Sequence, residues 1–351
     1  MQMIFFMGAT VILTVQRVSS VPAGFLKKAL RWRGLSPFFS AIFLTALVGA
    51  TSGCAWLDIK QRQAIYRPTQ GVPTSFAGLR AGDERYFVNV QGSVKDELKG
   101  VKGMAEPASS TGQRIEIWWL PHADAKAPTL LYFHGTFRNL YENLRKIESL
   151  RAAGFAVLAV DYRGWGQSTP ITPSEQTILQ DADVAWAELQ RREPRPAQRV
   201  LYGHSMGTGV AVDLASRLTA GPDYGGLILE SALSSFGDVA REAGLMARLI
   251  AGLLALAGEQ RFASIDKIAK VTSPLLMIHG SADTTIAPRL GKNLYNAANA
   301  PKQWVVIEGA AHSDVDAVGK VQYQATLQEF KRRYLQTPCE ASRAAPQVPC
   351  G

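Results

Sequence analysis

Cysteine and long apolar runs are both scarce in this sequence. Three cysteines occur among 351 residues (Cys54, Cys339 and Cys350), too few for a disulfide-rich secreted scaffold. The apolar runs at residues 4–15 and 37–49 are both shorter than the roughly 20 residues of a typical membrane-spanning helix. No internal repeat is visible, so a repeat architecture is not indicated.

Acidic residues are absent from residues 1–53, whereas five basic residues lie there. The whole chain has a formal net charge of +9, and removing those five leaves +4. The remaining lysines and arginines form no stripe with interleaved aromatic residues, so we expect no nucleic-acid partner. Hydrophobic residues make up 47% and charged residues 19%, which is typical of a globular protein rather than a disordered one.

The N-terminal region has the pattern of a secretory signal. Four basic residues between positions 27 and 33 precede the apolar run at 37–49, and small residues follow up to Cys54. This end resembles the lipobox of bacterial lipoproteins, in which the cysteine becomes the lipid-carrying first residue, although Thr51 stands where that family favours leucine. An uncleaved membrane anchor and ordinary signal cleavage remain alternatives. For residues 1–22, the true start lies further downstream or the leader is unusually long.

These features predict the domain organisation. Residues 1–53 are a leader or anchor, 54–82 a linker, 83–336 a folded domain and 337–351 a polar tail. In the tail, Cys339 and Cys350 either pair in an oxidising compartment or remain free thiols. The oligomeric state is left open.

Short apolar runs alternate with helical periodicity along the folded domain. The alternation predicts an α/β fold with an eight-stranded, mostly parallel sheet covered on both faces. The first two strands have no helix between them and are expected to form an antiparallel edge hairpin. The predicted strands are Tyr86–Val90, Arg114–Leu120, Thr129–Phe133, Ala156–Asp161, Arg199–Tyr202, Gly226–Leu229, Leu275–His279 and Gln303–Ile307. The predicted helices are Leu140–Ala153, Glu175–Arg191, Val210–Leu218 and Tyr323–Tyr334.

One segment interrupts the alternation of strands and helices. Residues of about 232–272 contain a strongly apolar, helix-prone centre, Leu245–Leu256. This centre has more apolar residues than one amphipathic face needs. It is predicted to be a short helical cap whose inner face takes an acyl chain, or else a plain core helix.

The motif that carries chemistry is Gly203-His204-Ser205-Met206-Gly207. It follows a predicted strand and opens a predicted helix, which is the setting that a G-x-S-x-G nucleophile turn requires. Glycines are expected around the serine because strand and helix approach closely there. Ser205 is therefore the predicted nucleophile.

A serine hydroxyl needs a base to remove its proton and an acid to orient that base. Of the five histidines, His312 is the predicted base, because it follows the last strand in a loop of small residues that can approach the serine. Asp283, after the seventh strand, is the preferred acid, and the order Ser205, Asp283, His312 is the order used by alpha/beta hydrolases. Glu230, at the end of the sixth strand, is the rival acid.

The tetrahedral intermediate of acyl transfer needs donors for its oxyanion. One is expected to be the backbone N–H of Met206, next to the nucleophile. The second is expected to be the backbone N–H of Thr136, in the loop that His134-Gly135 opens, although His134-Gly135 could also be a simple strand-end turn.

Several motifs together resemble one branch of the alpha/beta-hydrolase superfamily. The branch includes the serine-aminopeptidase-type hydrolases and the membrane-tethered depalmitoylating hydrolases of eukaryotes, and the resemblance covers about Tyr86 to Tyr334. It departs slightly at Trp165, where smaller or phenolic rings are usual. The motifs are His134-Gly135, Asp161–Ser168, Pro173-Ser174-Glu175 followed by Asp181, Gly203–Gly207, Leu229-Glu230-Ser231 and His279-Gly280 with Asp283.

This resemblance implies a Ser-His-Asp hydrolase with no metal and no organic cofactor, in which Asp161 has a structural role. The expected function is hydrolysis of carboxylic esters or thioesters by an exported enzyme that is tethered to a membrane and faces the periplasm, or is freely secreted. The expected partners are a small acyl or peptide substrate and, through Cys54, a membrane. A peptidase and a catalytically silent binding module are the alternatives, and the complete Ser-Asp-His set argues against the silent module.

Overall fold

The computed structural model describes residue 56 and the ranges 58–90, 112–242 and 261–335. Its strands form one eight-stranded sheet in the order β1-β2-β4-β3-β5-β6-β7-β8. β2 runs antiparallel to both β1 and β4, and the other neighbours are parallel. The strands are β1 Glu84–Asn89, β2 Arg114–Leu120, β3 Thr129–Phe133, β4 Ala156–Asp161, β5 Arg199–His204, β6 Gly226–Glu230, β7 Leu275–Gly280 and β8 Lys302–Ile307.

The central strands are buried along their whole length, which explains their continuous apolar sequences. In register, Leu131 of β3 lies between Leu158 of β4 and Leu201 of β5. All residues of β3, β4, β5, β6 and β7 are buried. A strand covered on both sheet faces has no solvent side on which polar residues could alternate.

Helices cover both faces of this sheet. The bounds are α1 Leu140–Ala152, α2 Glu175–Arg192, α3 Met206–Arg217, α4 Phe236–Glu242, α5 Pro288–Ala297, α6 Val315–Val318 and α7 Lys320–Tyr334. One buried apolar layer includes side chains of α2, α3 and α5, and the other includes side chains of α1 and α7. Asn139 begins α1 and Ser174 begins α2, each with a reciprocal capping box that satisfies N–H groups of the first turn.

The structure confirms the predicted α/β class and the mostly parallel eight-stranded sheet. The helix after the nucleophile begins at Met206 rather than at the predicted Val210. The predicted cap centre Leu245–Leu256 lies outside the described residues, as do the leader with Cys54 and the tail with Cys339 and Cys350. Among the residues that are described, no helix is long and apolar enough to cross a bilayer.

Part of the region predicted as a linker packs against the sheet domain. Residues 58–66 are helical, and the buried ring of Tyr66 meets Trp165 edge-on at a centroid distance of 6.3 Å. The next residues pair with two loops: Thr69 N–H donates to the Phe137 carbonyl at 3.2 Å, and Gly166 N–H donates to the Thr69 carbonyl at 3.0 Å. These loops leave the carboxyl ends of β3 and β4. The chain before β1 therefore connects the two strand ends by hydrogen bonds.

Candidate active site

Ser205 lies in the turn between β5 and α3, with a backbone conformation that only special turns impose. Its φ of 56° and ψ of −124° place a non-glycine residue in the left-handed half of conformational space, at a cost of order 1–3 kcal/mol. The turn is held because Ser205 N–H donates to the Glu230 carbonyl at 3.0 Å and the Ser205 carbonyl accepts from Thr208 N–H at 2.9 Å. This conformation turns the hydroxyl toward the carboxyl edge of the sheet.

Glycine is required beside Ser205 because backbone segments touch there. A Cβ on Gly207 would lie 2.1 Å from the carbonyl oxygen of Phe133, and a Cβ on Gly203 would lie 2.3 Å from that of Gly207. Both distances are far below any real contact between a methyl group and an oxygen. The two glycines of the motif therefore let β5, β3 and α3 converge under the serine.

The three residues that the sequence selects as nucleophile, base and acid lie in one hydrogen-bonded line. His312 Nε2 is 2.8 Å from Ser205 Oγ, and His312 Nδ1 is 2.8 Å from Asp283 Oδ2. The residues come from three different strand ends, after β5, β7 and β8. Because an ionised carboxylate can only accept, His312 Nδ1 carries the hydrogen, and the Nε2 lone pair faces the serine hydroxyl.

The Asp283 carboxylate is buried and well supplied with donors. Its Oδ1 accepts from the backbone N–H groups of Thr285 at 2.9 Å and Ile286 at 2.8 Å, and its Oδ2 lies 3.3 Å from His279 Nε2. Burial acts to raise the pKa of Asp283, but the hydrogen bonds from His279, His312 and Ile286 outweigh it and lower that pKa below its usual value. Asp283 is therefore ionised when His312 needs a fixed negative partner.

Two further side chains hold the backbone of the histidine loop, and sequence reasoning did not find them. The carbonyl of His312 accepts from Ser231 Oγ at 3.0 Å and lies 3.0 Å from His204 Nε2. Burial, followed by the charges of Lys146 and His312, lowers the pKa of His204 well below its usual value. His204 is thus a neutral ring whose Nε2–H donates to the carbonyl. In the sequence, the only signal for His204 is its position beside Ser205 in the motif, and that position does not indicate a bond to the His312 carbonyl.

The candidate oxyanion loop lies directly against the nucleophile. A Cβ built on Gly135 would be 2.9 Å from Ser205 Cβ and 3.4 Å from Ser205 Oγ, so the loop that continues into Thr136 passes the hydroxyl closely. Met206 is the first residue of α3, where backbone N–H groups have no intrahelical acceptor. The structure thus places Met206 directly after Ser205 and the Gly135 end of the Thr136 loop against it. Their role as donors stays a prediction.

Glu230, the rival acid, lies elsewhere in the site. Its carboxylate binds Lys146 Nζ and the hydroxyl of Tyr202, and it accepts from Tyr323 at 3.0 Å. The carboxylate that accepts from His312 Nδ1 is that of Asp283, not that of Glu230. The geometry therefore favours Asp283 as the acid.

Asp161 ties the candidate oxyanion loop to its neighbours. Its Oδ1 accepts from Leu140 N–H at 3.0 Å and lies 3.2 Å from His134 Nε2. Burial raises the pKa of Asp161 to about 6, although the His134 ring acts in the opposite direction. A second buried pair holds the loop after β4: Arg163 Nε donates to Asp181 Oδ1 at 2.7 Å. Both pairs stabilise loops rather than contact the nucleophile.

Within the described ranges, no group of three or more histidine, cysteine, aspartate or glutamate side chains is arranged to hold a metal ion. The polar groups around Ser205 are instead engaged with one another through the hydrogen bonds given above.

Comparison with known proteins identifies the family. The model of the family described as serine aminopeptidase, S33, matches residues 124–264. Alpha/beta hydrolase domain-containing protein 17B of Xenopus laevis is 32% identical over 229 residues, covering 63% of this chain and 72% of that protein. A lysophosphatidylserine lipase of Danio rerio is 32% identical over 197 residues, covering 53% of this chain and 51% of that protein.

A solved structure shares the fold at low sequence identity. An esterase from Pyrococcus furiosus superposes with a TM-score of 0.56 at 15% identity, covering 76% of this chain and 99% of that one. With the sheet order, the strand–turn–helix setting of Ser205 and the relatives above, the conclusion follows that this chain belongs to the alpha/beta-hydrolase family and is a serine hydrolase of that fold.

Proposed function

We propose that this protein hydrolyses carboxylic esters or thioesters through an acyl-enzyme intermediate on Ser205. The observation that carries the proposal is the unbroken line of hydrogen bonds from Ser205 Oγ through the His312 ring to Asp283. A serine hydroxyl in contact with a neutral imidazole whose far nitrogen is held by a carboxylate has the arrangement needed for nucleophilic attack.

The first half-reaction forms the acyl-enzyme. His312 Nε2 takes the proton of Ser205 as Oγ attacks the acyl carbonyl carbon, and the carbonyl oxygen becomes an oxyanion. The backbone N–H groups of Met206 and Thr136 stabilise that oxyanion, and Asp283 stabilises the imidazolium. When the tetrahedral intermediate collapses, His312 gives its proton to the departing alcohol or thiol.

The second half-reaction releases the acid. His312 takes a proton from a water molecule, whose oxygen attacks the acyl carbon on Ser205. A second tetrahedral intermediate collapses, Ser205 Oγ recovers its proton from His312 and the carboxylic acid leaves. No redox or metal-dependent step is needed for this chemistry to balance.

An ester or thioester substrate is favoured over a peptide by the name of one relative and by the sequence of the predicted cap segment. The Danio rerio relative is named for a lipid ester, whereas the matching family model is named for an aminopeptidase. An aminopeptidase must bind a free amino terminus, and the sequence offers no acidic cluster in the predicted cap segment for it. Peptide hydrolysis by the purified protein would therefore redirect the proposal.

Membrane tethering belongs to the same proposal. The basic and apolar leader that ends at Cys54 supports attachment of lipid at that cysteine. We infer that the mature enzyme is exported and anchored to a membrane, facing the periplasm. Its substrates would then reach the carboxyl edge of the sheet from that side.

The experiment that tests the proposed reaction is hydrolysis of a short p-nitrophenyl ester by wild type and Ser205→Ala. We expect kcat/KM to fall by about a thousandfold or more, because removing a nucleophile leaves only the background catalysis of the rest of the site. Circular dichroism should show that the variant keeps the wild-type fold, since the hydroxyl serves chemistry rather than packing. Near-normal turnover by the variant would show that Ser205 is not the nucleophile.

A further inference from the structure

Behind the active site lies a buried ionic cluster that the proposed mechanism does not use. Lys146 of α1 is only 3% exposed at its side chain, and its Nζ binds two carboxylates, Glu230 and Asp316. The bond to Asp316 Oδ1 measures 3.0 Å. A buried ammonium group is stable only with such partners, because burial removes its hydration shell. The ammonium group of Lys146 thus joins two carboxylates that lie far from it, and from each other, in the sequence.

Glu230 connects this cation to the nucleophile. Its backbone carbonyl accepts the N–H of Ser205 at 3.0 Å, one of the bonds that hold the strained turn. Its side chain also accepts from the hydroxyls of Tyr202 and Tyr323. Burial, followed by the nearby Glu230 charge, raises the pKa of both tyrosines well above the usual value, so they remain donors. The end of β6 is thereby fixed from three directions.

Asp316 connects the same cation to the base. It lies on α6, which begins directly after the loop that carries His312. Its second oxygen binds Arg145, whose guanidinium also donates to the Ser313 carbonyl at 3.2 Å. Within the loop, Asp314 Oδ1 accepts from Ala311 N–H at 2.7 Å. Ala311 and Ser313, on either side of His312, are therefore held by side chains, and Arg145 attaches both Ser313 and Asp316 to α1.

A direct bridge between the two sides completes the arrangement. Ser231, the residue after Glu230, donates from Oγ to the His312 carbonyl at 3.0 Å. His204, the residue before Ser205, lies 3.0 Å from the same carbonyl and 3.8 Å from Glu230 Oε1. Displacement of Glu230 would therefore disturb the hydrogen bonds of the His312 carbonyl as well as that of the Ser205 N–H.

We propose that Lys146 is a positioning residue of this active site, which joins the strand end that supports Ser205 to the loop that carries His312. Its ammonium group sets the distance between these two segments by binding Glu230 and Asp316 together. Without the positive charge, two buried carboxylates would face each other, and their repulsion would move α6 and the His312 loop away from β6. The inference rests on the proposed Ser205–His312 reaction and concerns its geometry.

The competing explanation is that Lys146 merely staples the fold. The two explanations differ in what a substitution changes. If Lys146 only stabilises the fold, its substitution lowers the free energy of unfolding and leaves the rates of the folded enzyme intact. If Lys146 is a positioning residue, its substitution lowers kcat in molecules that are still folded. A displacement of about 1 Å at the reacting atoms can cost on the order of a hundredfold in rate.

A matched control exists on the same helix. Arg151 of α1 also forms a largely buried ion pair, with Asp83 at 3.0 Å, and its side chain is 11% exposed. Arg151 lies near Pro121 and Glu148, on a part of α1 that makes no contact with the His312 loop among the interactions of the described residues. Arg151→Met should therefore lower stability without altering the chemistry.

The experiment compares Lys146→Met, Asp316→Asn and Arg151→Met in the full-length chain. Asp316→Asn keeps the side-chain volume and leaves Lys146 paired with Glu230, so it tests the inference even if Lys146→Met does not fold. Each variant is measured for thermal midpoint, for kcat and KM on a p-nitrophenyl ester, and for the rate at which a fluorophosphonate labels Ser205. Rates are taken well below the midpoint of the least stable variant.

We expect kcat and the labelling rate to fall together by about tenfold to a hundredfold in Asp316→Asn and Lys146→Met, with KM changed less than about threefold. Arg151→Met should lose thermal stability and keep wild-type rates. The inference is overturned if the Lys146 and Asp316 variants lose stability like Arg151→Met but react at the wild-type rate. Wild-type labelling that Ser205→Ala abolishes establishes the proposed reaction separately, so failure of the inference is distinguishable from failure of the reaction.

Discussion

Single side chains in this enzyme are placed by hydrogen bonds both within their own loops and across the chain. Asp283 illustrates this, because its carboxylate is anchored by two backbone N–H groups of its own loop and then presents Oδ2 to His312. A carboxylate held in this way fixes the tautomer of the histidine and stabilises the imidazolium that forms during the reaction. Glu230 is equally buried but is committed to Lys146.

This difference between the two acids leads to a ranking of variants. Asp283→Asn should lower kcat by on the order of ten-thousandfold, because an amide can force the wrong histidine tautomer. Glu230→Gln should cost far less, on the order of tenfold, because it weakens positioning and leaves the acid in place. Steady-state kinetics on one short ester decides the ranking. The reverse order would move the triad acid to the end of β6.

The residue types of the site were predictable from the sequence, and their supports were not. Ser205, Asp283 and His312 each follow a strand in a recognisable loop, so their meeting at one sheet edge follows from parallel topology. Lys146 meets Glu230 across 84 positions and Asp316 across 170. No local pattern encodes such a pairing, since it depends on how α1 and α6 pack on the sheet.

At the scale of elements, the site depends on how closely β3, β5 and α3 approach one another. Gly207 abuts the carbonyl of Phe133, and Gly135 abuts Ser205. Helix α3 starts at Met206 although Gly207 and Gly209 both disfavour helix. Glycine is kept there because Cβ atoms would collide with Phe133 and with the ring of Phe262. Tertiary packing therefore overrides local propensity, which is why periodicity placed the start of this helix too late.

The close approach of Gly135 predicts a selective loss of activity. Gly135→Ala would place a Cβ 2.9 Å from Ser205 Cβ, so the oxyanion loop or the serine must shift. We expect kcat to fall by on the order of a hundredfold, since small misplacements of reacting groups are costly. Gly237→Ala is the control, because its nearest neighbour would be Ser235 Oγ at 3.7 Å. Equal activity of both variants would mean that this loop takes no part in the reaction.

Strand positions were predicted closely because the central strands are apolar on both faces. β2, β3 and β4 have the predicted bounds, and the other strands differ from prediction by a few residues at their ends. In β5 and β6 the difference arises because polar residues, His204 and Glu230, end the strand. They belong to the sheet by hydrogen bonding although their side chains contact the site. Polar residues that contact the site interrupt the apolar pattern, so a prediction from that pattern ends the strand too early.

At the scale of the whole molecule, we propose that a hydrolase domain is joined to an N-terminal membrane attachment. The chain before β1 is bound to the loops beside the site, as Thr69 pairs with both Phe137 and Gly166. The alternative of a freely secreted hydrolase keeps the same active site and differs only in this N-terminal end.

The attachment is tested by the intact mass of the mature protein from membranes. A lipoprotein should begin at Cys54 and carry acyl mass, and stable anchoring requires more than a single acyl chain. Cys54→Ser should release the protein or leave the leader uncleaved. A soluble product that is cut near Gly49 would contradict any anchor, and a product that retains residues 37–53 would make that stretch the anchor instead of a lipid.

The most direct test of the central claim is covalent labelling of the full-length protein by a fluorophosphonate at neutral pH, with the site located by peptide mass spectrometry. Fluorophosphonates react with a serine that is activated by a neighbouring base, so the label reports the assembled Ser205–His312–Asp283 line. We expect one label, on Ser205, that is lost in Ser205→Ala and slowed in Asp283→Asn. Absence of labelling in the folded wild-type protein, or a label on a different serine, would contradict it.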